Sequence, residues 1–209
     1  MRRMLRRDGN SSKFLFVGNH PCLDFINTEI MRGGRSVDLL TNEQDLTAWI
    51  EQAHLTNRTV SEAATGRGAH QVSGQTFQQV KTFRTVLRET VERLVARKPV
   101  SNSSLDTINE LLVHRTGSFE LIRTRQGFTF QFQIDSSHDT WILGALAEAA
   151  ADLLSNRDFS LVKKCKNSTC ILYFYDTTKN HTRNWCSMGL CGNRMKVAAH
   201  YRRMRSKKR

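Results

Sequence analysis

Four cysteines, spaced Cys165-x4-Cys170-x15-Cys186-x4-Cys191, fall within 27 residues near the end of a 209-residue chain. Two thiol pairs separated by a spacer of hairpin length match the way a polypeptide clamps one zinc ion, with four thiolates in a tetrahedron at roughly 2.3 Å. The same residues could instead form two disulfides or remain four reduced structural thiols. Disulfides need an oxidising compartment, and the sequence points to the cytoplasm. Its basic start leads only to the short apolar run Phe14–Val17, whereas a secretory core needs about 7–15 residues. The longest apolar tract, Trp141–Leu154, is broken by Glu148 and Asp152 and falls short of the about 20 residues of a membrane span. The expectation is a cytoplasmic protein, not associated with a membrane, that holds one structural zinc ion. His181 is an alternative fourth ligand in a set of three cysteines and one histidine. Cys22 stands alone and reads as a small buried apolar side chain, with a reactive thiol as the alternative.

The charge is as uneven as the cysteines. From Lys163 to Arg209 thirteen Lys and Arg stand against the single acid Asp176, while the whole chain carries +13, so residues 1–162 are close to neutral. Four thiolates on a divalent ion subtract about two charges from this segment and leave it strongly cationic. A neutral body with a cationic end suggests a module for nucleic acid or another anionic surface. Signatures of enzymes are missing: there is no phosphate-binding Gly-rich loop ending in Gly-Lys-Ser/Thr, no Gly-x-Ser-x-Gly and no His-Glu-x-x-His. A four-thiolate zinc also has no open position for water, so the expectation is that the protein is not an enzyme.

The elements that must position this site are mostly helical. Thr41-Asn-Glu-Gln44 reads as a capping box opening a helix through Trp49 to about Ala53. Phe77, Val80, Phe83, Leu87, Val91 and Leu94 make one apolar stripe over 75–97, closed by Pro99. A third helix carries Leu105, Ile108, Leu111 and Leu112. Alternation over the second half of Glu120–Ile134, with Gln126-Gly127 at the bend, predicts a β-hairpin. Asp139 is expected to cap a central apolar helix from Thr140 to about Leu154. Nearer the start, Phe14–Val17 reads as a strand, and Leu23, Phe25, Ile26 and Ile30 suggest a short helix ended by Gly33-Gly34. The segment 56–74 reads as a loop and 1–13 as a disordered basic start. In the cysteine region, Ile171–Tyr175 and His181–Trp185 are expected to pair as a hairpin around a turn fixed by Asp176. A helix follows from Cys191. Knuckle, hairpin and helix in that order make a treble-clef-like arrangement, too poor in apolar residues to be stable without metal.

The run Cys186-Ser-Met-Gly-Leu-Cys191-Gly192-Asn193-Arg194-Met-Lys196, preceded by Trp185 and by Phe174-Tyr-Asp176, resembles the bacterial zinc finger named for its Cys-Gly-Asn-Arg quartet, CGNR. Phe16-Val-Gly-Asn-His-Pro-Cys-Leu-Asp-Phe-Ile-Asn-Thr28, with Asp38-Leu-Leu40 ahead of the Trp49 helix, is similar to the opening of the ABATE domain, which that finger follows. Together the two span nearly the whole chain. The resemblance implies that Cys165, Cys170, Cys186 and Cys191 are the zinc ligands and that the protein is a bacterial stress-induced transcription regulator. The family often has arginine where this chain has Lys179 and Asn184; Lys179 keeps the charge but not the planar fork.

The resulting expectation is an α+β protein with four segments: the start 1–13, an ABATE-like sensor domain 14–160, a CGNR finger 161–205 and a basic tail 206–209. On a helix from Cys191, Lys196, His200, Arg203 and Lys207 form a cationic stripe, with Val197, Tyr201 and Met204 on a neighbouring face expected to pack on the hairpin. Such a helix can lie in the major groove, arginine reading guanine and lysine holding phosphate. Candidate contacts to double-stranded DNA are Arg183, Arg194, Lys196, His200, Arg202, Arg203 and Lys207. The alternatives are an RNA-binding or protein-docking finger, with Tyr173, Tyr175 and Trp185 stacking on unpaired bases, and an enzymatic body carrying an appended finger. A small-molecule effector of the body and a homodimer matched to a palindromic site complete the expected partners.

Overall fold

A computed structural model describes residues 12–55 and 71–206. The expected disordered start, apart from Ser12 and Lys13, most of the 56–74 loop and Lys207 with the end of the tail lie outside them. Lys13 pairs with Asp45, Ser12 Oγ donates to Gln52, and Val72 is buried.

Phe14–Val17 is irregular backbone, with Phe14 buried, and forms no strand. It leads into the short helix α1 (Pro21–Ile26), which opens on a proline and has its Cys22 N–H capped by His20 Nδ1 at 3.2 Å. Ile30 is not part of that helix. It lies in β1 (Glu29–Arg32), which pairs antiparallel with β2 (Arg35–Asp38) through Gly33-Gly34. Both glycines have positive φ, +59° and +79°, as a two-residue hairpin turn of this hand requires. The two apolar residues Ile30 and Met31 were too few to reveal a strand by alternation.

Helix α2 (Glu43–Gln52) is capped one residue later than expected. Asn42 Oδ1 accepts from Asp45 N–H, and the Asp45 carboxylate in return accepts from Thr41 N–H and Oγ1. Helix α3 (Gly74–Val95), capped by Ser73, buries its whole predicted stripe from Phe77 to Leu94. Its one buried charge, Arg84, forks onto both oxygens of Asp38 at 2.7 and 2.6 Å. Helix α4 (Asn102–Leu112) buries Ile108. Strands β3 (Gly117–Thr124) and β4 (Gly127–Ile134) form the expected second hairpin, with Thr124 opposite Gly127. Helix α5 (Trp141–Asn156) is the buried centre, with Leu143, Leu146, Ala147, Ala150 and Leu153 inside. Asp139 does not cap it through its side chain. The carboxylate instead accepts from Ser73 N–H at 2.7 Å, tying the start of α3 to the start of α5.

The core does not stop at the body. Cys165, Leu172, Tyr173, Phe174, Cys186 and Cys191 belong to the same buried cluster as Phe25, Trp49 and Leu143. Burying each large apolar side chain contributes roughly 1.5–3 kcal/mol, so the cysteine region draws stability from the body as well as from any metal. Among the described residues no helix is long and apolar enough to cross a membrane.

Candidate metal centre and the helix it anchors

The expected hairpin of Ile171–Tyr175 with His181–Trp185 is not what forms. Strand β6 (Tyr173–Tyr175) pairs antiparallel with β5 (Val162–Lys164), which precedes the first cysteine pair. Cys165 and Cys170 therefore lie in the turn between two strands. Cys165 N–H donates to Leu172 O and Cys170 N–H to Asn167 O, both at 2.9 Å. Segment 181–185 runs alongside as irregular backbone, bridged by Lys166 N–H to Asn184 O. Asp176 fixes the intervening turn as expected, accepting from Thr178 N–H and Oγ1, Arg183 N–H and Lys163 Nζ. Burial alone would raise its carboxyl, but these donors hold it well below the usual carboxylate range.

The second cysteine pair is set by a tight turn. Ser187 Oγ caps Leu190 N–H, and Ser187 O accepts from Cys191 and Gly192 N–H. A wide helical turn (Met188–Gly192) then passes directly into α6 (Asn193–Ser206). The Cys-Gly-Asn-Arg quartet thereby acquires a physical reading. Cys191 turns inward. A Cβ on Gly192 would come within 2.6 Å of Met188 Sδ and 3.1 Å of Trp185, so a larger residue there must push the Met188 side chain aside. Asn193 opens α6, and Arg194 reaches back to Leu190 O at 3.1 Å.

All four sulfurs lie within 4.8 Å of one another, and Cys170 and Cys186 Sγ are 3.9 Å apart. Four ligands at about 2.3 Å from a tetrahedral ion stand about 3.8 Å apart, so the set fits zinc. None of the five cysteines is in a disulfide. Four thiols this close cannot all ionise unaided: S–H donation from Cys170 and Cys186 holds Cys165 down, and Cys165 in turn pushes Cys170 up to about 12. A divalent cation removes that conflict. Asn167, which is buried, donates from Nδ2 to Cys191 Sγ at 3.3 Å and accepts at Oδ1 from Thr169 N–H and Oγ1. His181 is not in the cluster, and its Nδ1 lies 3.1 Å from Asp176 O.

The basic residues separate into two groups. Arg194, Lys196, His200, Arg202 and Arg203 are all exposed on α6, and no ion pair among the described residues involves that helix. Arg183 turns inward. Its guanidinium stacks on Phe174 at 4.1 Å and donates to Trp185 O, Val17 O and Cys186 O. Val197, Tyr201 and Met204 do not pack on the hairpin; they are exposed, and α6 buries nothing. The exposed aromatic platform expected for RNA is reduced, because Tyr173 is buried and Tyr175 and Trp185 are half-buried against the core.

Cys22 is fully buried and its thiol is pushed up to about 12 by desolvation, as an inert apolar side chain would be. The pair of His20 Nε2 and Asp152, at 2.9 Å, is the one His–carboxylate contact among the described residues. The other ring nitrogen of His20 already accepts from Cys22 N–H, so neither is open to a substrate.

A helical body locked to a four-thiolate metal finger with a bare cationic helix is the class that fold and site define. The family comparison agrees with it: residues 19–157 match the family described as "ABATE: Putative stress-induced transcription regulator", and residues 162–204 match the CGNR zinc finger. The chain belongs to the ABATE family and carries a CGNR zinc finger with one zinc-binding cluster. Comparison with curated proteins gives no match. Three roles at the site were not read from the sequence: Asn167 beside the metal, Arg183 as a brace, and Asn27, whose side-chain amide bonds both main-chain groups of Tyr173. For Asn167 the one clue was its place inside the knuckle, where an Asn side chain commonly bonds the backbone two residues on.

Proposed function

We propose that this protein is a cytoplasmic, non-enzymatic transcription regulator in which residues 14–160 form a sensor domain and 161–205 a finger that lays α6 on double-stranded DNA. The observation that carries the reading is the state of α6: fourteen residues with no buried side chain and no ion pair among the described residues, springing directly from a zinc ligand. A bare cationic helix is electrostatically unsatisfied alone, and phosphate is the anion that a row of Arg and Lys meets at this spacing. Arg194, Lys196, His200, Arg202, Arg203 and Lys207 are the proposed contacts. Arg183 belongs with them only through the finger it braces. The half-buried state of Tyr175 and Trp185 favours duplex over unpaired RNA.

The test is anisotropy titration of zinc-loaded protein with duplex DNA and with structured RNA over a range of salt. Duplex preference, with log affinity falling by about 0.9 per log salt for each phosphate contacted, supports the reading. Preference for RNA, or no binding below about 100 μM near physiological salt, overturns it. An effector of the sensor domain would shift the duplex titration.

A further inference from the structure

The β3–β4 hairpin is amphipathic in the wrong direction for a ribbon standing alone. Its register puts Phe119 opposite Phe132, Leu121 opposite Phe130 and Arg123 opposite Phe128 on one face, with Ser118, Glu120, Thr129, Gln131 and Gln133 on the other around a single half-buried Ile122. Both faces are largely open, the polar residues Ser118, Glu120 and Thr129 as well as the apolar row. Phe119, Leu121, Phe128 and Phe130 are each between 62% and 68% exposed. Phe119 and Phe130 stack on each other at 4.9 Å, and Arg123 lies over Phe128 at 4.9 Å.

Side chains of this kind present about 150–250 Å² each. At these exposures the four offer roughly 500 Å² of contiguous apolar surface, at the upper limit of what monomers leave uncovered. A two-stranded sheet is also marginal without something packed on its face. The chain's own segments outside the described residues are poor candidates for a cover: 1–11 contribute Met1, Met4 and Leu5, 56–70 contribute Val60, and 207–209 are all basic.

We infer that this face is covered by the same face of a second copy of the chain, giving a two-fold dimer through the β3–β4 hairpins. Two such faces laid together remove about 1,000 Å² from water, the least that a specific interface is expected to bury. The face is suited to an isologous contact because flat aromatic rows pack onto their own kind at the about 10 Å spacing of stacked sheets. Charge fixes the direction. With the strands running oppositely, the turn cations Arg123 and Arg125 of one copy lie over the base of the other ribbon, where Arg115 stands on the Phe132 ring with its charge met by Glu148, and about 25 Å from their own counterparts. The parallel arrangement would bring four arginines together. The inference is independent of the nucleic-acid reading, because no residue of α6 takes part.

The test is sedimentation equilibrium of the full-length, zinc-loaded protein at about 1–50 μM, comparing wild type with Leu121→Glu/Phe130→Glu and with Thr129→Glu on the polar face. Wild type and Thr129→Glu are expected at twice the 24.0 kDa chain mass. The double variant is expected at the chain mass, its dissociation constant raised at least about 100-fold, with helical circular dichroism and zinc content unchanged. Wild type at the chain mass throughout would overturn the inference, as would a double variant that remains dimeric.

Discussion

Asn27 and Tyr173, 146 residues apart, bond each other as if they were neighbouring strands. Asn27 Nδ2 donates to Tyr173 O at 2.8 Å, and Tyr173 N–H donates to Asn27 Oδ1 at 2.9 Å. A side-chain amide just past α1 thus completes the free edge of β6, and Gly18 O adds a third bond by accepting from Tyr175 N–H. The finger is bolted to the body through its backbone.

Asn27→Ala is therefore expected to cost about 2–4 kcal/mol, since it leaves two buried main-chain groups without partners. Urea unfolding of the zinc-loaded protein should show the loss as a lowered midpoint, and the unfolding of the finger should separate from that of the body. A midpoint unchanged within error would mean that the amide merely fills space.

Replacing Cys186 with Ser should abolish stoichiometric zinc, because a hydroxyl does not supply the thiolate that the tetrahedron needs. One zinc per chain in the wild type and less than about 0.1 in the variant, read by elemental analysis, is the expected result. The body should keep most of its helix, because α3 and α5 bury their stripes mainly on each other and on α1, α2 and α4. Retained stoichiometric zinc would disqualify the ligand set.

Asn167→Ala tests a quieter contribution. The Nδ2–H to Cys191 Sγ bond orients the sulfur and disperses thiolate charge, and losing such a partner typically weakens metal affinity about 10–100-fold. Competition against a chromophoric chelator should show that drop, with one zinc still bound at saturation. Unchanged affinity would leave Asn167 with only its turn-forming bonds to Thr169.

How much of this was legible beforehand depends on how local the cause was. The cysteine spacing, the α3 stripe and the alternation in β3–β4 are local, and they led directly to the elements. The pairing of β6 failed because the neighbour nearest in sequence, 181–185, competes with β5, and what decides is Tyr173 and Phe174 seeking the core of the body. Asp139 failed for the same reason: its side chain could reach its own helix or Ser73, and only the tertiary fold chose. The exposure of Val197, Tyr201 and Met204 was illegible because an apolar stripe shows that a helix has a face, not that anything lies against it.

The Asp38–Arg84 fork should register in pH-dependent stability. Burial pushes the Asp38 carboxyl up, but the bidentate Arg84, Leu40 N–H and Lys81 outweigh it and bring it down to about 2. A folded pKa below the unfolded value of about 3.9 means that this stabilisation is fully present above that value and is lost as pH falls through about 2. With Asp38 partly open to solvent, about 2 kcal/mol is at stake. Arg84→Met should therefore be less stable than wild type by about 2–3 kcal/mol at pH 6, and the gap should narrow toward pH 2.5. Zinc loss in acid is common to both proteins and cancels in the difference. A gap independent of pH would assign the effect to packing alone.

Arg183 separates bracing from binding. Its guanidinium holds three carbonyls from two parts of the chain, Val17 on the body and Trp185 and Cys186 beside the metal, while its face lies on Phe174. Lysine keeps the charge but supplies neither the fork nor the stacking plane. Arg183→Lys should cost about 2–3 kcal/mol in urea unfolding and weaken zinc binding. A phosphate contact would behave differently, because its loss flattens the salt dependence of duplex affinity by about 0.9. Because lysine would keep a phosphate contact, the slope is read on Arg183→Gln: at saturating zinc it is expected to equal that of the wild type, whereas Lys196→Ala should lower it by that amount. A flattened slope in the Arg183 variant would place its guanidinium on the nucleic acid and require the brace to release when DNA binds.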